Sequence, residues 1–457
     1  IDVLVRIYEE RLAKAGTVDF QDLLEQANAG MSAASLAPFF VHHLLIDEAQ
    51  DIDALQLQWI EHHLRAGAEL FAVADDDQAV YGFRRALGFK GMKRLSAASG
   101  AVSLTLTTNY RSHAELVEYS QQLISHNCYR EPKDTNAARG PGGGIAYLRY
   151  PDAEAQAADI VLHVGSLEGS WGILARNRHL FYDAQAFLPS AGIRARMIGP
   201  SVWKERPVRL LFVLLAMAAG LRVRPAARDA LLGWLNVCHQ DLEMVHSMKL
   251  APWGLPPANL ARRKTRIASR ALAELMARLP VWCELAADAG RAELAIEGAG
   301  EWLCQQLERL DKPMGRRRRD LTLVGIARSA LRRMDGSFGE RALSIRKFDT
   351  QDAHGAVVLS TFHGAKGLEW DNVWLLSVEA AVMPYQHAST EEERRLFYVA
   401  MTRARDRLFI SSRRGVPSEF LYEAFPGHRA PIASGVLHLG ERIHGAITAS
   451  KAVPPVV

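Results

Sequence analysis

Two carboxylates stand together at the end of an apolar run, Leu44-Leu45-Ile46-Asp47-Glu48-Ala49-Gln50-Asp51, and a second acidic block follows, Ala74-Asp75-Asp76-Asp77-Gln78-Ala79-Val80-Tyr81-Gly82-Phe83-Arg84. A strand that delivers an Asp-Glu pair can set one carboxylate on Mg²⁺ and a second beside an attacking water, the arrangement that nucleotide triphosphatases use. Taken alone, the pair is more often what a buried strand shows where it meets solvent. Three further blocks decide between these readings: Asn109-Tyr110-Arg111-Ser112, then Thr361-Phe362-His363-Gly364-Ala365-Lys366-Gly367-Leu368-Glu369-Trp370, then Glu393-Arg394-Arg395-Leu396-Phe397-Tyr398-Val399-Ala400-Met401-Thr402-Arg403-Ala404-Arg405.

In this order and wording the blocks resemble motifs II to VI of the UvrD/Rep/PcrA family of superfamily 1 DNA helicases, and the resemblance covers nearly the whole chain. Weaker echoes are Val18 to Leu24, Gly172 to Asn177 and Pro417 to Leu421. The resemblance implies that Asp47 holds Mg²⁺ and Glu48 is general base on the hydrolytic water, roles that suit a hard oxygen ligand and a proton acceptor. It implies that Gln78 orients water and senses the γ-phosphate, and that Arg111 and Arg403 neutralise charge on the transferring phosphoryl group. Tyr110 matches the ring that stacks on adenine, and Glu369 the carboxylate that bonds the ribose. Tyr81, Phe83 and Arg84 match single-strand DNA contacts, where aromatic stacking tolerates any base. His363 and Lys366 match a DNA or phosphate contact, with hydrogen bonding inside the domain as the alternative.

The cofactors expected are therefore ATP and Mg²⁺, and the partners single-stranded DNA and single/double-strand junctions. The activity implied is ATP-dependent 3′ to 5′ translocation and unwinding. Three positions depart from the family pattern: Ala74 and Arg85 stand where glycines are usual, and Glu419 where an arginine is common. A position needing positive φ suffers from either of the first two residues.

A phosphate-cradling loop, G-x-x-x-x-G-K-[ST], needs glycines for close backbone approach and a lysine for the β/γ-phosphates. No lysine here directly follows a glycine. The chain begins with Ile1 and its first segment, Ile1 to Gly30, reads as the interior of a helical domain, so the expectation is an amino-terminally truncated helicase. The alternative is a non-hydrolysing DNA-binding or regulatory module derived from one. The glycine run Gly140-Pro141-Gly142-Gly143-Gly144 has no following Lys-Ser/Thr and reads as a connector.

Asp47, Asp75 and Asn109 need strands to carry them. Leu44 to Ile46, Leu70 to Val73, Val102 to Leu106, Ile145 to Tyr150 and Gly172 to Ala175 are short, apolar and often β-branched, with helical periodicity between several of them. That is an α/β pattern with a parallel sheet, whose ligands bind at the carboxyl ends of strands. From Glu205 to Ile345 helical spacing takes over, as in Ala268 to Leu279 and Leu321 to Met334. Strand signals return in Ala356 to Ser360, Asn372 to Leu376 and Leu408 to Ser411. The expected organisation is two RecA-like motor domains, the first incomplete, with a largely helical insertion. In ranges, 1–30 ends a first helical insertion and 31–114 is the carboxy-terminal part of the first motor domain. The second motor domain takes 115–204 and 346–425 around the insertion 205–345, and 426–457 is a tail.

At 457 residues more than one domain is expected. A charge of +4, from 55 basic and 51 acidic residues, is no sign of nucleic-acid binding by itself. Cys128, Cys238, Cys283 and Cys304 lack metal-ligand spacing and fit buried, core-filling free thiols in a reducing compartment. The apolar stretch Val208 to Leu221 is too short for a membrane span, so a cytoplasmic protein is expected. Arg316 to Arg319 is either a solvated helix end or a duplex phosphate contact. Repair or replication proteins are the expected partners of the insertion, which carries no decodable motif.

Overall fold

A computed structural model describes residues 2–248, 250–251, 254–256, 266–310, 313–349, 354–380, 382–413, 415–434 and 436–439. The expected tail therefore lies mostly outside the described residues. The contacts divide the chain into two compact units, one of residues 1–144, 379–406 and 416–434, the other of 145–378, 407–415 and 435–457. The architecture is mixed α/β, with parallel sheets and a large helical region.

In the first unit, strands β1 (His43–Ile46) and β2 (Glu69–Ala72) pair in parallel with Leu44 opposite Leu70. The helix Ala54–Arg65 makes the crossover between them, and Asp53 starts it by capping the Gln56 N–H while the Gln56 side chain caps the Asp53 N–H. Alternation along β1 sends Leu44 and Ile46 against the core of Ala49, Ile52, Leu57, Ile60 and Leu95. Leu45 and Phe71 remain exposed.

The stretch Val102 to Leu106, expected as a strand, is not one. Leu104 and Leu106 are exposed, and pairing begins only at β3 (Thr108–Asn109), which runs parallel to β4 (Asn136–Ala137). An apolar β-branched run becomes a strand only where a neighbour satisfies its backbone groups, and no strand among the described residues borders this one. Beyond β3, the helix Ala114–Ile124 packs against Thr390–Met401 and Glu419–Ala424.

The second unit is built on a seven-stranded sheet in the order β11-β5-β10-β9-β6-β8-β7. These strands are β5 (Gly144–Arg149), β6 (Trp171–Ala175), β7 (Ala195–Met197), β8 (Val357–Thr361), β9 (Trp370–Leu376), β10 (Ala404–Ser412) and β11 (Val436–Leu439). β6 pairs in parallel with both β8 and β9, and β7 with β8, while the edge strand β11 is antiparallel to β5. Strands on either side of the helical insertion thus complete one sheet. Trp374 stacks on Phe409 at 5.0 Å, and its indole N–H donates to Ser411 Oγ at 2.8 Å, so a large ring is buried with its polar atom satisfied.

The insertion buries one face of each helix at three- and four-residue spacing. Leu272, Leu275, Met276, Leu279 and Trp282 do so on Arg270–Ala286, and Ala295, Ile296, Ala299, Trp302 and Leu303 on Ala292–Arg309. In the arginine run, Arg317 donates to the Leu310 carbonyl at 3.0 Å and Arg319 pairs with Glu205 at 2.9 Å, which ties two of the four to the protein itself. Among the described residues no helix is long and apolar enough to cross a membrane.

Gly172 sits in the middle of the sheet with Trp370 over its Cα, so that an added Cβ would lie 2.4 Å from Trp370 Cε3. Gly172→Ala is expected to destabilise the chain by about 1–3 kcal/mol through overpacking, read as a lower urea midpoint at unchanged slope. A midpoint equal to wild type would show that the ring can move aside.

Candidate active site

The Asp47-Glu48 pair leaves the carboxyl end of β1 through a sharp turn. Glu48 has φ 53° and ψ 41°, a left-handed conformation that costs an L-residue about 1–2 kcal/mol. The turn is stitched to the end of β2 by the Val73 N–H to the Ile46 carbonyl at 2.8 Å and the Ala49 N–H to the Val73 carbonyl at 3.0 Å. Asp47 Oδ1 accepts the Glu48 N–H at 2.8 Å, and both side chains are exposed. The buried Gln50 donates to the Glu48 carboxylate and accepts the Asp75 N–H at 3.0 Å, which carries the connection into the second acidic block.

Asp75 is shared. Its Oδ2 accepts the Gln78 side-chain amide at 2.6 Å, its Oδ1 accepts the Lys133 ammonium at 2.6 Å, and the Asp77 N–H caps the same oxygen at 3.2 Å. Lys133 also pairs with Asp76 at 2.5 Å and Asp77 at 3.2 Å, while Arg130 grips Asp77 with two bonds of 2.9 and 2.8 Å. The Glu131 N–H donates to Asp76 at 2.6 Å. Burial pushes the Asp75 carboxyl upward, but the Lys133 charge and the hydrogen bonds outweigh it and hold the carboxyl below its ordinary value. Burial opposes the Lys133 charge in turn, and the carboxylates more than restore it, raising the ammonium above its ordinary value. Asp75, Asp76 and Asp77 lie close enough together to hold a metal ion. The Lys133 ammonium already meets all three carboxylates, whereas Asp47 is exposed at a strand end and offers the hard oxygen donors that suit Mg²⁺.

Arg403 is buried on the turn after the helix Thr390–Met401. It donates to the Val399 carbonyl at 2.9 Å, to Thr402 Oγ1 at 3.0 Å and, at 3.5 Å, to Gln78 Oε1. Arg111 reaches the same turn, donating to the Thr402 carbonyl at 3.3 Å, and its own backbone is fixed by Asn109 Oδ1, which accepts the Arg111 and Ser112 N–H groups. Glu48, Gln78, Arg403 and Arg111 are thereby brought into one bonded region. Tyr110 beside them is 78% exposed, so its ring is open for stacking rather than packed in the core. Tyr398, one turn before Arg403, is buried, and the Asp75 and Asp77 charges add to burial in raising its phenol above the ordinary value.

Tyr81 and Phe83 meet edge to face at 5.9 Å, with the Arg84 guanidinium 5.3 and 5.6 Å from the two rings. Phe83 is 65% exposed. Behind them the Glu392 carboxylate lies against Gly82, where an added Cβ would come within 2.8 Å of it. Arg85 has φ 66°, so this departure from glycine falls where a left-handed backbone is required, whereas Ala74 is not among the positive-φ residues.

His363, Lys366 and Glu369 belong to the second unit. The first two lie on a tight turn after β8, where the Phe362 N–H donates to the Ala175 carbonyl at 2.9 Å and the Gly364 N–H to Thr361 Oγ1 at 3.1 Å. The glycine run before β5 is a connector whose Gly142 and Gly143 N–H groups, at 3.0 and 2.9 Å, are used on the Glu115 carboxylate.

Gln50, Arg130, Lys133, Glu392 and Thr402 are absent from the residues singled out by sequence. The one signal that could have found the cations is the triple carboxylate itself, since adjacent like charges, two of them buried, require counter-charges. Because the folded Asp75 carboxyl lies below its unfolded value, its contribution to stability is complete above about pH 4 and is lost as pH falls through the lowered value. Asp75→Asn is therefore expected to be less stable than wild type at neutral pH and to lose less on acidification, measured as urea midpoints at pH 5 and below. Parallel acid profiles for the two proteins would contradict the pairing.

Two family models and several curated proteins match this sequence. The UvrD/REP helicase N-terminal domain matches residues 1–93, and the UvrD-like helicase C-terminal domain matches residues 302–415. DNA helicase II of Haemophilus influenzae is 24% identical over 92% of this chain and 64% of its own length. The ATP-dependent DNA helicase PcrA of Leuconostoc citreum is 25% identical over 92% of this chain and 62% of its own, and DNA helicase II of Escherichia coli 25% identical over 88% and 61%. The chain thus spans less than two thirds of the length of these relatives. The sequence thus matches helicase domains of the UvrD/Rep/PcrA type of superfamily 1, and the mixed α/β fold is consistent with that match.

Proposed function

We propose that the chain is the portion of an ATP-dependent 3′ to 5′ DNA helicase that supplies the hydrolytic carboxylate, the γ-phosphate sensor and both arginines. The observation that carries this reading is the unbroken path from Glu48 through Gln50, Asp75 and Gln78 to Arg403. A path of this kind joins a proton acceptor to a charge-neutralising guanidinium, the two functions that phosphoryl transfer to water requires. Residues 31–114 are read as part of the first motor domain, 115–204 and 346–425 as the second, 205–345 as its insertion, and 1–30 and 426–457 as flanking segments.

In this mechanism Glu48 takes the proton of the attacking water while Gln78 orients it. Arg403 and Arg111 neutralise charge on the γ-phosphoryl group, and Thr402 holds them side by side. Asp47 is the residue that would hold Mg²⁺, which when bound supplies charge neutralisation at the β- and γ-phosphates. Tyr110 and Glu369 are assigned to adenine and ribose by their match to the family motifs. The exposed Tyr81–Phe83–Arg84 group offers stacking faces and a phosphate contact for single-stranded DNA, with His363 and Lys366 as further contacts. Single/double-strand junctions, repair or replication partners at the insertion, and a cytoplasmic location complete the proposal.

A second reading, a DNA-binding module that hydrolyses nothing, is favoured by one observation, the absence of any lysine directly after a glycine. Glu48→Gln in the full-length protein separates the two. Under the motor reading kcat for DNA-stimulated ATP hydrolysis falls by about 10²–10⁴ while DNA binding is retained. Absence of hydrolysis in the unsubstituted full-length protein would establish the second reading. The chain of 457 residues by itself is expected to bind single-stranded DNA with an affinity that falls as salt rises, and to show negligible ATP hydrolysis. Robust hydrolysis by this chain would refute the argument from the missing lysine.

A further inference from the structure

We propose that Lys133, assisted by Arg130, is a positioning residue for Gln78 and acts on it through the Asp75 carboxylate. This rests on the hydrolytic reading above for its consequence, though not for its geometry. Lys133 belongs to none of the blocks that carry the chemistry, and it lies 58 residues from Asp75 in sequence. Its ammonium nevertheless holds one oxygen of Asp75 at 2.6 Å while the other oxygen holds the Gln78 amide at the same distance. The amide has a donor end and an acceptor end. Asp75 fixes the donor end, and this turns Oε1 toward Arg403.

The turn bearing Gln78 is gripped on both sides. Arg130 and Lys133 hold Asp75 to Asp77 on one flank, and the Glu392 carboxylate packs against Gly82 on the other. Without the ammonium, Asp75 would face Asp76 and Asp77 with one cation fewer. Arg130 stays on Asp77, and the Gln78 amide, bonded to the other Asp75 oxygen, is the donor that the change in charge reaches directly. As that carboxylate turns, the amide turns with it, and the Gln78 carbonyl oxygen leaves Arg403. Lys133 also differs from an ordinary surface cation in that its side chain is only 17% exposed and meets three carboxylates at once.

Two measurements test this. In the chain labelled with ¹⁵N-glutamine, the Gln78 side-chain amide pair, identified by its disappearance in Gln78→Ala, is expected to shift in Lys133→Ala and to return toward its original position in Lys133→Arg. An unmoved amide overturns the proposal. If Lys133→Ala does not fold, Lys133→Gln, which keeps a hydrogen-bond donor without the charge, takes its place, and the same shift is expected and the same null result decisive. In the full-length protein, Lys133→Ala is expected to lower kcat for DNA-stimulated ATP hydrolysis about ten-fold with KM for ATP changed by less than about two-fold, and to add nothing to the loss caused by Gln78→Ala. Additive losses would show that Lys133 acts elsewhere. A moved amide alongside a full-length protein that hydrolyses no ATP at all would sustain the positioning contact and refute the hydrolytic reading.

Discussion

The candidate site depends on a carboxylate that serves two donors at once. Asp75 has a charged donor on one oxygen and an amide on the other, and each bond constrains the direction of its neighbour. The constraint is strong because the surroundings are dry: Asp76 and Asp77 are buried, and buried like charges must be met by cations with good geometry or not ionise. The protein meets them with Lys133 and Arg130, which pins the segment after the helix Ala114–Ile124 to the turn that carries Gln78. Through Gln78 this carboxylate is linked to Arg403, and through Gln50 the backbone N–H of the same residue is linked to Glu48. Electrostatic compensation and chemical preorganisation are the same contacts here.

Much of the fold is legible in the sequence because local pattern and tertiary position agree. The runs around Leu44 to Ile46, Gly172 to Ala175 and Asn372 to Leu376 are strands, and the stretch around Ala268 to Leu279 is a helix that buries its apolar side. Val102 to Leu106 has the same local pattern and is not a strand, since pattern says nothing about whether a partner backbone is adjacent. Ala195–Met197 is a strand without a pattern, three residues long and held by β8. In both cases pairing decides, and pairing is non-local.

The site divides along the same line. Asp47, Glu48, Gln78, Arg111 and Arg403 stand in blocks whose composition points to chemistry, and the last four are found in one connected region. Lys133, Arg130 and Glu392 are single ionisable residues in unremarkable surroundings, and their significance comes from partners far away in sequence, 53 residues for Arg130 and Asp77. Backbone donors tell a similar story. Gly142 and Gly143 look like a phosphate loop and hold the Glu115 carboxylate, whereas Gly82, in a block read for DNA contact, lies against the Glu392 carboxylate. What an N–H group binds is set by which anion the fold delivers to it.

The left-handed backbone at Glu48 has a consequence for how this chain would drift under selection. Asn and Gly occupy that conformation far more readily than Glu, and neither could accept a proton from water. Directed evolution for thermal robustness alone would thus tend to replace Glu48 and enrich sturdier, chemically silent descendants, so any such campaign needs turnover as a second criterion.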